Sequence, residues 1–66
     1  MEMNWSELAK KLNWSQPYLS RVFHGYATPS YAMVIKSQSV TRKSIKWWED
    51  ASQSEIQQLL LKLKGV

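Results

Sequence analysis

The sequence predicts an all-α fold, a compact bundle of about five short helices, and three observations support that prediction. Apolar residues recur at three- and four-residue intervals in short segments, and no segment has the alternating pattern of a strand. Asn, Ser or Thr, the residues that cap helix N-termini, stand before these segments. The chain has 66 residues, 44% of them hydrophobic and 21% charged, which is a globular composition with room for one small domain over residues 1–66.

The first helix is predicted over Trp5–Leu12. Asn4 is a suitable N-cap, and Glu7 three residues later completes a capping box. Asn13, which tolerates the left-handed conformation, ends the helix. The residues at helical spacing on its inner face are Trp5, Leu8, Ala9 and Leu12.

The second helix is predicted over residues 16–24. Ser15 is its N-cap, and Pro17 lies in the first turn, where a missing N–H has no cost. Gly25 follows at the position where glycine commonly ends a helix. The inward residues are Leu19, Val22 and Phe23.

The third and fourth helices have weaker patterns. Ser30 is the predicted cap of a third helix that ends near Ser37. Its expected inward residues are Tyr31, Val34 and Ile35. Thr41 is the predicted cap of a fourth helix that continues to about Asp50, with Val40 and Ile45 forming a hydrophobic staple across that cap.

The fifth helix is predicted over residues 53–64. Ser52 and Glu55 form a second capping box at its start. Its apolar stripe has the spacing i, i+3, i+4, i+7 and consists of Ile56, Leu59, Leu60 and Leu63. The helix therefore needs a partner surface, and residues 53–64 are expected to pack or to dimerise.

The charge is strongly asymmetric. The net charge is +4, yet residues 8–48 contain no acid and seven basic residues. An acid-free basic segment is typical of a protein that binds a polyanion. The alternative is a solvated surface that is merely basic.

Composition also limits the function. The chain has no cysteine, one histidine, five acids and two glycines, so disulfides, thiolate metal sites, paired-acid catalysis and phosphate-binding glycine loops are not expected. No apolar run approaches the ~18 residues of a membrane span, and no secretory signal opens the chain. We expect a cytoplasmic binding module that is not an enzyme and takes no cofactor, metal or small-molecule ligand.

The most informative segment is the motif over residues 5–24. Only three residues join its two helices, too few for antiparallel packing, so the helices must cross steeply. Ala9 is small enough for close approach at the crossing, and Trp14 would plug the turn. The residues expected to fill the angle are Leu8, Leu19 and Val22.

This motif, WSELAKKLNWSQPYLSRVFH, resembles the helix-turn-helix of the Cro/repressor (XRE-like) family of phage and bacterial transcriptional regulators. Ala9 stands at the family's small position, and Asn13 stands at the turn position that is usually glycine. The run SQPYLSRVFHG followed by TPS resembles the family's second helix, its end and the opening of the next helix. The resemblance covers about residues 4–50. The alternative is a helical corner that merely packs.

The resemblance implies that the second helix enters the major groove of DNA. Its expected base-reading residues are Gln16, Pro17, Ser20 and Arg21. The residues expected to contact the DNA backbone are Ser15, Tyr18, His24, Tyr26, Lys36, Arg42, Lys43 and Lys46. The alternatives are a polar helix face with no target and, for Arg42, Lys43 and Lys46, a solvated basic end.

The sequence departs from the family in two ways. Only Met1 to Asn4 precede the motif, too few for the family's usual first helix, so we expect the added fifth helix to cover helices one and three in its place. The loop after Gly25 reads Tyr-Ala-Thr and is neutral, whereas the family's loop is often basic.

One recognition helix reads only a few base pairs, so we expect a homodimer on a palindromic operator. The candidates for the dimer surface are Trp47, Trp48 and Leu61, and ordinary partial exposure of large residues is the alternative. The leading hypothesis is a sequence-specific transcriptional regulator, a phage or bacterial repressor. The alternative is a small protein-interaction module, such as an adaptor or an antitoxin-like partner.

Overall fold

A computed structural model describes residues 3–65 of the chain. The helices are α1 (Trp5–Leu12), α2 (Gln16–Phe23), α3 (Tyr31–Thr41), α4 (Ile45–Asp50) and α5 (Gln53–Gly65). Within residues 3–65 there is no strand, so the predicted all-α class is confirmed. The same residues include no helix with both the length and the apolar character needed to cross a bilayer.

The ends of α1 are as predicted. The Asn4 side chain accepts a hydrogen bond from the Glu7 backbone N–H at 2.8 Å, and the Glu7 carboxylate accepts one from the Asn4 N–H at 3.0 Å. At the other end Asn13 has φ +62°, and its N–H donates to the carbonyl of Lys10. The next N–H, from Trp14, donates to the carbonyl of Ala9, which completes a Schellman motif.

The helix α2 ends at Phe23, one residue before the prediction, and His24 is its C-cap. Gly25 has φ +83° and is the residue immediately after that cap. The N–H of Tyr26 donates to the carbonyl of Arg21 at 2.8 Å, so α2 also ends in a Schellman motif. The predicted role of Gly25 as helix terminator is confirmed.

The predicted end of α3 is wrong, and of its three predicted inward residues only Val34 is buried. The helix continues to Thr41 instead of ending near Ser37, and it buries Val34, Ser37 and Thr41. Tyr31 is 66% exposed and Ile35 is 48% exposed. Ser37 can be buried because its hydroxyl donates within α3 to the carbonyls of residues 33 and 34, which removes the cost of an unsatisfied polar group.

The predicted start of α4 is also wrong. Thr41 is the last residue of α3, and Arg42 ends that helix in the left-handed conformation with φ +57°. The N-cap of α4 is Ser44, whose hydroxyl accepts a hydrogen bond from the Trp47 N–H. Val40 therefore lies inside α3, and no staple spans a cap at Thr41.

The core lies where α1 meets its neighbours. The helix α1 packs against α2, α3 and α5, and α5 packs against α2 and α1. Ala9 is buried at the α1 crossing, as predicted. The buried apolar residues are Leu8, Ala9, Leu12, Trp14, Leu19, Val22, Val34, Trp48, Ile56 and Leu60.

Two tryptophans complete this core. Trp14 is buried, and its indole N–H donates to the carbonyl of Met33 at 3.1 Å, which ties the α1–α2 turn to α3. Trp48 is 1% exposed and lies with its ring centroid 6.0 Å from that of Trp14. The prediction of Trp48 as part of an exposed dimer surface is wrong, because a single chain already encloses its side chain.

The start and packing of α5 agree with the prediction. Its capping box is present, with hydrogen bonds of 3.0 and 3.2 Å between Ser52 and Glu55. Ile56 and Leu60 are buried, and the two other leucines of the predicted stripe are half-buried. The helix covers α1 as expected, but its other main contact is α2 instead of α3. That α5 occupies the place of the family's usual first helix stays a prediction.

Candidate nucleic-acid interface

The helix α2 has a buried face and a free face. Leu19 and Val22 are almost completely buried against the rest of the bundle. The four predicted base-reading residues are all exposed, and they are Gln16, Pro17, Ser20 and Arg21. The sequence prediction of an outward polar face on α2 is therefore confirmed, while the function of that face stays a prediction.

The N-terminus of α2 is exposed. The Ser15 hydroxyl accepts a hydrogen bond from the Tyr18 N–H at 3.2 Å, and Pro17 has no N–H to donate. The free N–H of Gln16 then contributes to the partial positive charge of the helix end. The Tyr18 ring is half-buried and meets the Trp14 ring edge-on, with centroids 5.3 Å apart. This end of α2 is thus fixed to the core while its polar groups remain accessible.

A shallow cleft of about 270 Å³ runs beside α2. Its lining combines α2 with the first residue of α1 and consists of Trp5, Gln16, Leu19, Ser20, Phe23 and His24. The rings of Trp5 and Phe23 meet edge-on with centroids 4.9 Å apart. Sequence reasoning placed Trp5 only in the core and missed its position beside Gln16 and Ser20. The spacing of residues 16, 20 and 23 on one helix face was the signal that could have revealed this cleft.

The C-terminus of α2 is held by α5. The side chain of Gln57 donates to the carbonyl of Phe23 at 2.9 Å, which satisfies a helix-end acceptor. Gly25 lies against the side chain of Gln53. Two residues of this region, His24 and Tyr26, are predicted to contact the DNA backbone, and both are exposed. Sequence reasoning did not identify either glutamine as a support for α2, because polar residues carry no packing signal.

The remaining residues that are predicted to contact the DNA backbone lie on α3, on α4 and in the connection between them. Lys36 is exposed on α3, Arg42 and Lys43 lie in the connection between α3 and α4, and Lys46 is exposed on α4. The Nζ of Lys43 lies 5.0 Å from the centroid of the Trp47 ring. Lys46 forms an ion pair with Asp50 at 3.6 Å, but both side chains are largely exposed, so this pair contributes little to stability. That any of these cations contacts DNA together with α2 stays a prediction.

A metal site is not indicated by the geometry. Among residues 3–65, no group of three or more His, Asp or Glu side chains is placed to hold an ion. The chemistry that this surface offers is hydrogen bonding and positive charge.

A family model described as Helix-turn-helix matches residues 1–48. Because the match covers most of the chain, the protein belongs to this helix-turn-helix family, and the match supports the resemblance to the Cro/repressor type. In general terms the family consists of DNA-binding regulatory domains. The match ends within α4, so α5 lies outside it. The chain has no significant match among curated proteins or solved structures.

Proposed function

We propose that this protein is a sequence-specific transcriptional regulator that reads the major groove of DNA with α2. The observation that carries the proposal is the division of α2 into a buried face and an exposed polar face, in a chain of the helix-turn-helix family. An α-helix fits the major groove, and the residues near its N-terminus reach the base edges.

The exposed side chains suit this role individually. Gln16 can make two hydrogen bonds to the N6 and N7 atoms of adenine, and Arg21 can make two to the O6 and N7 atoms of guanine or grip a phosphate. Ser20 is short and lets the helix approach the groove closely. Pro17 offers an apolar surface to the methyl group of thymine.

Phosphate contacts would supply most of the affinity. The free N-terminus of α2 attracts an anion, and Lys36, Arg42, Lys43 and Lys46 add positive charge. We propose a homodimer on a palindromic operator, acting as a repressor that occludes polymerase or contacts it. A bacterial or phage-infected cell is the proposed setting, with the protein in the cytoplasm beside the nucleoid.

Selection of bound duplexes from a random pool tests this proposal. We expect enrichment of one motif, present as two inverted half-sites about one helical turn apart. The affinity for the enriched duplex should fall steeply between about 50 and 200 mM salt because bound phosphates release counterions. A pool that stays random through repeated rounds would contradict the proposal.

The second candidate function is a protein-interaction module. The exposed apolar side chains of Tyr31, Ile35 and Leu61 favour it, since such groups can bind another protein. An apolar interface would be almost insensitive to salt, so the salt titration distinguishes the two functions.

A further inference from the structure

We infer that two copies of this chain pair through a basic cleft on one copy and an acidic corner on the other. The basic cleft is lined by Lys11, Thr41, Lys43, Leu59, Lys62 and Leu63. The acidic corner consists of Glu49, Asp50 and Glu55, at the joint between α4 and α5. This inference deepens the proposed function, because it assigns a surface to the proposed homodimer.

The basic cleft contains none of the proposed base-reading residues, although its Lys43 is also one of the proposed phosphate contacts. It has a volume of about 400 Å³ and lies between α5, the end of α1 and the α3–α4 connection. No residue of α2 lines it. A partner seated here would leave Gln16 and Arg21 free.

The lining of the basic cleft calls for an occupant that is both acidic and partly apolar. Lys11, Lys43 and Lys62 all line it, and none of them forms an ion pair with another described residue. Leu59 and Leu63 also line it, and their side chains are half-buried. An acidic partner could form ion pairs with these lysines, and the two leucines give it apolar surface to cover.

The acidic corner supplies the matching charge from the same sequence. Its three carboxylates are exposed, and none of them lines the basic cleft. The side chain of Glu49 has no hydrogen bond or ion pair with any described residue, Asp50 has only the exposed pair with Lys46, and Glu55 accepts a hydrogen bond from the Ser52 N–H in the α5 capping box. Outside the corner, the described part of the chain has one further acid, Glu7 on α1, which takes part in a capping box of the same kind.

In a homodimer with two-fold symmetry, every contact between the two copies occurs twice. The basic cleft of each copy then receives the acidic corner of the other copy. The half-buried Trp47 lies on α4 between Lys43, which contacts its ring, and the acidic corner. It therefore remains a candidate for this interface, whereas the buried Trp48 does not.

A charge swap tests the inference. Lys62→Glu places an acid in the cleft, and Glu49→Lys places a base in the corner. We expect each variant alone to raise the dimer Kd at least about tenfold, measured by sedimentation equilibrium without DNA, because like charges then meet twice per dimer. An equimolar mixture should restore association, because the mixed dimer has one native contact and one reversed contact. Lys10→Glu is the matched control, since Lys10 is exposed on α1 and does not line the cleft.

Three results would overturn the inference. They are a wild-type chain that stays monomeric, a Lys62→Glu variant that dimerises like the Lys10→Glu control, and a mixture that associates no better than its components. Circular dichroism verifies that each variant is folded. Binding of each variant to a single half-site duplex is measured separately. Normal half-site binding with failed rescue refutes the pairing alone, while successful rescue without any DNA binding refutes the proposed function alone.

Discussion

At the scale of single residues, Asn13 and Gly25 end the two helices of the motif in the same left-handed conformation for different reasons. Asn13 has open surroundings and uses the tolerance of asparagine for positive φ. Gly25 has a further constraint, because a Cβ atom there would lie 2.6 Å from the side chain of Gln53 on α5. Gly25 therefore ends α2 through its positive φ, and a larger residue there would also force the exposed Gln53 side chain to move.

Gly25→Ala should destabilise the fold by about 1–2 kcal/mol from the positive φ alone, and by more if Gln53 cannot move. Thermal unfolding measures this as a drop in Tm of roughly 4–8 °C per kcal/mol. Gly65→Ala is the control, because no atom lies within 4 Å of a Cβ at that position. Equal effects of the two substitutions would contradict the role given to Gly25.

Gln16→Ala should weaken binding to the selected duplex by about 1–3 kcal/mol and relax the preference at one base pair. The reason is that its amide would pair with a single base, while the helix itself stays intact because Gln16 is exposed. Fluorescence anisotropy with cognate and random duplexes measures both effects.

Lys36→Ala is the companion variant, since an exposed lysine on α3 would contact only phosphate. We expect it to weaken binding to both duplexes alike and to reduce the salt dependence. If Gln16→Ala also weakened both duplexes equally, the assignment of Gln16 to base reading would be wrong.

At the scale of helices, α1, α2 and α5 were predictable, whereas the end of α3 and the start of α4 were not. α1, α2 and α5 each combine a local cap with an apolar stripe, so their bounds and buried faces follow from short-range rules. α3 buries Ser37 and Thr41, which satisfy their hydroxyls locally, so its inner face has no apolar pattern. Its end at Arg42 needs a left-handed arginine, which no sequence rule favours.

The free face of α2 was predictable for the same reason as its buried face, since the two alternate at helical spacing. The cleft that includes Trp5 and the support from Gln53 and Gln57 were not predictable. They depend on the placement of α1 and α5 relative to α2, which is a tertiary property.

Leu60→Ala should destabilise the protein by about 2–5 kcal/mol, because the side chain is completely buried and its removal leaves a cavity. Urea unfolding followed by circular dichroism measures the loss. The neighbouring Leu61→Ala is a control in the same helix, because Leu61 is 49% exposed and its loss should change stability by no more than about 0.5 kcal/mol. A Leu60→Ala variant as stable as Leu61→Ala would rule out packing of α5 on the core.

At the scale of the whole molecule, one small core supports both the fold and the proposed interface. The described residues span only 30 × 22 × 21 Å, and within them α2 packs against α1 and α5. Leu19 and Val22 bury the inner face of α2 in the core. Gln57 of α5 donates a hydrogen bond to the carbonyl of Phe23 at the C-terminal end of α2. Trp48 is buried in the same core, although the sequence made it a candidate for the dimer surface. These contacts leave the polar face of α2 pointing away from the core, and a binding residue is more effective when its support is packed in this way.

The most direct test of the central claim is an amide chemical-shift titration of the ¹⁵N-labelled protein with the selected duplex. If α2 enters the major groove, the largest changes will map to residues 15–24, with smaller changes at the basic residues of α3 and of the α3–α4 connection. Changes centred on α5 or on the acidic corner, with α2 unaffected, would contradict the account.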